Sequence, residues 1–213
     1  NVLNYSRDSA NLHEIGYPKL FSSKKEKLFF NNNKPLIIFA PSLEKENIQN
    51  FIHQGITTVF ENLDHINFLV KLHPALSSTM LKFKDFFESS FKSYENIVID
   101  QLSNIQECGK SSSLLITDIG SAGAEYRLSF SKRVVYLKVG ANCEGGADLR
   151  FRDDFADSIT DVAGLSDSIH ELLQMGNLSQ KEFDEMVNKV LFNPQNADEA
   201  AAKTINSIIE KFI

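Results

Sequence analysis

The sequence predicts an α/β chain: a Rossmann-like, doubly wound, mostly parallel sheet followed by carboxyl-terminal helices. Short apolar runs recur at residues 36–40, 66–72, 97–99, 114–116 and 134–137, and runs this unbroken mark strands buried on both faces. Segments with helical spacing separate them, an alternation that argues for a parallel sheet covered by helices. The stretch from Leu114 to Leu137, LLITDIGSAGAEYRLSFSKRVVYL, reads as strand, small-residue turn, helix and strand, a complete βαβ unit.

Residues 1–33 are polar and irregular, broken at Gly16 and Pro18 and closing on Asn31-Asn32-Asn33; they are expected to be a linker segment packed on the domain that follows. That domain is expected to span residues 34–213, its Rossmann-like part ending near Gly176. Leu36–Ala40 is the first strand, stopped by Pro41-Ser42. Ile48, Phe51, Ile52, Ile56, Val59, Phe60 and Leu63 recur at steps of three and four, which predicts one long helix with Ser42 or a neighbour as its cap. Ile66–Leu72 is the second strand, ended by His73-Pro74. Met80, Leu81, Phe83, Phe86, Phe87 and Phe91 predict a Phe-rich core helix, Ile97–Asp100 a third strand, and Ser103–Cys108 a helical turn. After Leu137 a Gly-rich stretch, Val139 to Asp148, precedes the mixed charges of Arg150-Phe151-Arg152-Asp153-Asp154. It reads either as a surface loop or as a mobile lid that brings Arg150 or Arg152 to an anion. Apolar stripes at Ile169, Leu172 and Leu173, at Phe183, Met186, Val187 and Val190, and at Ile205, Ile208, Ile209 and Phe212 predict three closing helices.

Composition narrows the function. A net charge of −6, from 22 basic and 28 acidic residues, argues against general nucleic-acid binding. Cys108 and Cys143 are too few for a disulfide framework or a Cys-based zinc site and suit a reducing compartment, so the cytoplasm is the expected location. No metal site and no cofactor is expected, and no apolar run reaches the length of a membrane span. The chain opens at Asn1 without a methionine and reads as a piece of a longer protein.

Ligands of doubly wound sheets sit beyond the carboxyl ends of the strands. The residues to inspect there are Pro41-Ser42, His73-Pro74, Asp100 and Asp118–Ser121. Gly120, Ala122, Gly123 and Ala124 leave room for close approach, and the helix beginning at Ser121 offers unpaired N–H groups and the positive end of its dipole to a phosphate. The spacing is neither GxGxxG nor a P-loop, and the same glycines would also serve tight packing of helix on sheet. His73 is the candidate catalytic residue, with a turn histidine as the alternative. Ser42, Asp118, Gly120, Ser121, Ala122 and Glu125 are the candidate substrate-binding residues. Asp118 either meets ligand or caps its own turn; Glu125 either accepts from ribose or base hydroxyls or favours the helix start.

The order of these pieces resembles the carboxyl-terminal half of the CDP-glycerol glycerophosphotransferase family, which builds glycerol-phosphate polymers such as teichoic acids and related capsules. The segment Ile15-Gly16-Tyr17-Pro18, the strand ending in Pro41-Ser42, Lys71-Leu72-His73-Pro74, the Leu114–Leu137 block and the Asn193-Pro194-Gln195-Asn196 turn carry the resemblance over residues 14–213. It implies one half of a GT-B architecture, two facing Rossmann-like domains. It further implies a nucleotide donor such as CDP-glycerol, a polymer or lipid-linked acceptor, and a missing amino-terminal domain that holds the His-Gly general base. Ser121 matches one of two family serines that face the donor diphosphate, whereas Gly120 stands where the other would be. Glu125 falls at an acidic position, His73 at the histidine that handles phosphate or leaving group, and Lys19 where Arg is common. Attachment at the inner face of the membrane would come through parts outside this chain. Two other readings stay open: a nucleotide-sugar glycosyltransferase domain of capsule or lipopolysaccharide synthesis, and a non-catalytic scaffold domain of that pathway.

Overall fold

Six strands hydrogen-bond in the order β3-β2-β1-β4-β5-β6, every neighbouring pair parallel. They are β1 (Leu36–Phe39), β2 (Asn67–Lys71), β3 (Ile97–Asp100), β4 (Leu114–Thr117), β5 (Arg133–Leu137) and β6 (Ser158–Thr160). This computed structural model describes residues 25–73, 77–101, 104–139, 148–190 and 196–210. The expectations placed on residues 1–24, on Pro74, on Ser103, on Cys143 and the Gly-rich 140–147, on Asn193-Pro194-Gln195 and on Phe212 lie outside them.

The apolar runs become strands because each is buried on both faces: β1, β2, β4 and β5 are buried at every position. Side chains alternate along a strand, so the sheet has two distinct faces. One face carries Ile37, Phe39, Phe68, Val70, Ile116 and Val135. It packs on α1 (Lys45–His53), α2 (Ile56–Glu61), α3 (Ser78–Ser90) and α7 (Leu165–Met175) through Ile48, Phe51, Phe60, Phe87 and Ile169. Phe39 lies at its centre, edge-on to the rings of Phe51, Phe60 and Phe87. The other face carries α4 (Ile105–Cys108), α5 (Ala122–Phe130) and α6 (Asp148–Phe155).

Three expectations are corrected. The single long helix after β1 is two, because Gly55 takes a left-handed conformation (φ 85°) that ends α1 and starts α2. Its cap is not Ser42: Glu44 holds the N-cap position of α1, and no side chain closes it. The mixed-charge stretch, expected as a surface loop or a mobile lid, is helix α6, and it leads into β6, a three-residue edge strand too short and too polar for its pattern to show.

The chain divides into two compact units. Lys24–Leu178 holds the sheet and α1–α7. Helices α8 (Gln180–Val190) and α9 (Ala197–Ile209) belong to the second. Ser179 and Glu182 close the start of α8 reciprocally, as in a capping box.

Candidate functional site

The chain runs outward from β1 to β2 to β3, then returns to the centre to lay β4 against the other side of β1. The crevice between the carboxyl ends of β1 and β4 is therefore the topological switch point, where open α/β sheets bind ligands. Ala40-Pro41-Ser42 leaves β1 there and Asp118 to Ser121 leaves β4.

These two exits are tied together. The buried Asp118 carboxylate accepts from Ser42 N and Ser42 Oγ, both at 2.7 Å, and from Asn47 Nδ2 of α1 at 3.2 Å. Thr117 Oγ1 adds a bond to Ala40 O at 2.7 Å. Burial pushes the Asp118 carboxyl above its ordinary value, against the opposing pull of the Ser42 hydroxyl, the Ser42 and Ile119 amides and Asn47. Of the two roles open to Asp118, ligand contact or local cap, the geometry adds a third: it clamps the β1 exit to the β4 exit. Ser42 spends its hydroxyl proton on that clamp.

The turn before α5 is open to approach. Gly120 adopts φ 94°, and a side chain added to it would meet nothing within 4 Å, so the space over the turn is open. Any residue with a side chain would be strained in this left-handed conformation, which favours glycine at the position. Ser121 is the N-cap of α5 and is exposed, yet it makes no side-chain cap bond. Its Oγ donates instead to Glu125 Oε1 at 3.0 Å. The first amides of α5 have no acceptor within the helix, and Ser121 does not cap them. Glu125, one turn on and nearly buried, also takes Gln106 Nε2 of α4 at 3.5 Å.

Beneath the turn, the chain fixes the depth of α5. A Cβ on Gly123 would lie 2.1 Å from Tyr136 Oη, so only glycine lets the helix sit this close to β5. The Tyr136 hydroxyl is fully buried and has no hydrogen-bond partner among the described residues. On the outer side, Asp157 pairs with Arg127 of α5 and with Arg133 of β5 (2.9 Å), and accepts from Val134 N at 2.8 Å. The two glycines thus differ in role: Gly123 permits close packing on β5, and Gly120 permits the left-handed turn and leaves the space above it open.

His73 stands exposed at the carboxyl end of β2, its carbonyl accepting from Gln101 Nε2 at 3.3 Å. The sheet places it on the same edge as Ser42, Asp118, Gly120, Ser121 and Ala122, with Glu125 one turn into α5. Arg152 of α6, expected to reach an anion, donates to Asp153 Oδ1 at 2.9 Å. Sequence reasoning missed Asn47, Gln106 and Tyr136. Asn47 shares the inward face of α1 with Ile48 and Phe51, and a polar residue in that stripe is the signal that marks it.

No family model matches the chain, and no curated protein matches its sequence. Solved structures do match. The chain is similar to an α,α-trehalose-phosphate synthase (UDP-forming) from Burkholderia xenovorans in complex with glucose-6-phosphate, at 11% identity and a TM-score of 0.53, over 81% of this chain and 43% of that one. It is similar to an α,α-trehalose 6-phosphate synthase from Burkholderia multivorans, at 10% identity and 0.55, over 84% and 44%. A UDP-GlcNAc 2-epimerase from Methanocaldococcus jannaschii in complex with UDP-GlcNAc and UDP matches at 16% and 0.51, over 83% and 46%. At such identities the likeness is one of fold, and the chain spans less than half the length of each of these three structures. The six-stranded parallel sheet with helices on both faces is the Rossmann-like half of a GT-B architecture.

Proposed function

We propose that this chain is the donor-nucleotide-binding half of a GT-B transferase of the CDP-glycerol glycerophosphotransferase type, acting in cell-surface polymer synthesis. The observation that carries the reading is the open, uncapped start of α5 at the switch point, with Gly120 bare above it. Transfer from a nucleotide donor leaves charge on the departing phosphate. Helix amides and the His73 imidazole stabilise that charge where it develops, joined by the Ser121 hydroxyl once it turns from Glu125. Glu125 lies one turn further along the same helix, where it accepts from a ribose hydroxyl. The acceptor, a polymer or lipid-linked hydroxyl, enters from a second domain that also supplies the general base. No helix among the described residues is long and apolar enough to cross a membrane.

A second reading, transfer of a sugar from a nucleotide sugar, is favoured by one observation: the similar UDP-GlcNAc 2-epimerase from Methanocaldococcus jannaschii holds UDP-GlcNAc and UDP. Both transfers use the same diphosphate cradle. Isothermal titration of the chain with CDP-glycerol, CDP, UDP-GlcNAc and UDP tests them together. Heat with CDP-glycerol and CDP alone supports the first reading, and heat with the uridine pair alone supports the second. No binding of any of the four overturns both and favours a scaffold.

A further inference from the structure

Glu125 is a carboxylate only 7% exposed, one turn into α5, and both of its oxygens are engaged. Ser121 Oγ donates to Oε1 at 3.0 Å, and Gln106 Nε2 of α4 donates to Oε2 at 3.5 Å. A carboxylate this enclosed is costly when it loses a donor. An N-cap serine ordinarily accepts from the second or third amide of its helix. Ser121 is exposed, makes no cap bond and gives its proton to Glu125 instead.

That bond conflicts with the roles the donor reading gives its two members, in which Ser121 donates to a phosphate oxygen and Glu125 accepts from a ribose hydroxyl. A serine hydroxyl has one proton to give, and here Glu125 holds it. What the ligand brings decides whether that proton can move. Pyrophosphate is chiefly an acceptor: drawing Ser121 away trades one bond to an anion for another and strips the buried carboxylate of a donor, with no net gain. A ribose hydroxyl is itself a donor. It replaces Ser121 on Oε1 while Gln106 keeps Oε2, and the Ser121 proton then passes to the diphosphate without loss.

We propose that Ser121 and Glu125 form an exchange pair through which the site selects a ribonucleoside diphosphate over inorganic pyrophosphate. The ribose hydroxyl displaces Ser121 from Glu125, and the released serine donates to the diphosphate. The proposal rests on the donor reading and adds to it a coupling between the two ends of the ligand. Side chains four apart on a helix stand about 6 Å from each other, so one ligand that carries phosphate and ribose together meets both. Gln106 is a positioning residue, which holds the carboxylate in place while its other donor changes.

The test compares the wild-type chain with Ser121→Ala by titration calorimetry. The probes are CDP, UDP, inorganic pyrophosphate and a CDP analogue whose sugar lacks both free hydroxyls. Ser121 is exposed and caps nothing, so Ser121→Ala is expected to fold with a melting temperature near that of wild type; Ser121→Gly is the second variant. The expected result is about tenfold weaker binding of CDP or UDP, whichever the chain takes, the effect of one hydrogen bond to a charged group. Affinity for pyrophosphate and for the hydroxyl-free analogue stays unchanged; where pyrophosphate binds too weakly to measure, the analogue decides. Equal loss for all probes makes Ser121 a plain phosphate contact and overturns the exchange. No loss for any probe removes Ser121 from binding, which overturns the exchange and leaves the donor reading on the helix amides. A wild-type chain that binds neither nucleotide overturns the donor reading, and the exchange with it.

Discussion

Asp118 shows how much a single side chain decides here. It accepts three bonds from partners 71 and 76 residues away in the chain, and it does so fully buried. Burial raises its carboxyl above the ordinary 3.8, so the folded chain holds that proton more tightly than the unfolded chain does. The sign follows: its contribution to stability is complete below 3.8 and is lost as pH rises through the raised value. Asp118→Asn carries no such loss. In urea unfolding at about pH 4 and about pH 8, the stability of Asp118→Asn relative to wild type is therefore expected to improve at the higher pH. A relative stability that falls between the two would mean that the clamp stabilises the charged form, against the cost of burial. Nothing in the order of residues announces this clamp. Asp118 after a strand is legible as a turn residue, but its link to Ser42 and Asn47 exists only once β4 lies beside β1.

At the scale of elements, α5 is the piece that matters, and two contacts set its position. Gly123 lets the helix approach Tyr136, and a methyl group there would sit 2.1 Å from the hydroxyl. Gly123→Ala is expected to cost about 1–3 kcal/mol, the usual cost of overpacking. Adding Tyr136→Val opens the space, so the double variant should be less destabilised than the sum of its parts; strict additivity in urea unfolding would contradict the contact. On the outer side, Asp157→Ala removes the carboxylate shared by Arg127 and Arg133, both mostly buried. Its expected cost is about 3–5 kcal/mol, and a loss below about 1 kcal/mol would mean that the pair behaves as a surface one.

Four strands were legible because they are buried at every position, where apolar pressure makes a strand obvious, and β3 at the sheet edge was legible from its apolar Ile97-Val98-Ile99 run. The break at Gly55 was hidden by an apolar stripe that keeps its phase through two helices, and β6 by its three-residue length. Within the site, the turn from Gly120 to Ala122 could be read from small residues between a strand and a helix. Asn47 shows only as a polar residue in the apolar stripe of α1, and Gln106 could not be read, since its meaning depends on α4 lying beside α5.

For the whole molecule, strand order turns scattered residues into one edge. Ser42, Lys71, His73, Asp100 and the start of α5 come from four strands and meet at their carboxyl ends. The same architecture recurs at 10–16% identity in trehalose-phosphate synthases and a UDP-GlcNAc 2-epimerase. The central claim is that a nucleotide diphosphate rests on the first amides of α5. Its most direct measurement is an amide-resolved NMR titration of the chain with CDP and UDP. The account predicts that the backbone N–H signals of Gly120, Ser121, Ala122 and Gly123 move furthest and saturate together. Saturable binding that shifts other amides and leaves these four in place would contradict it.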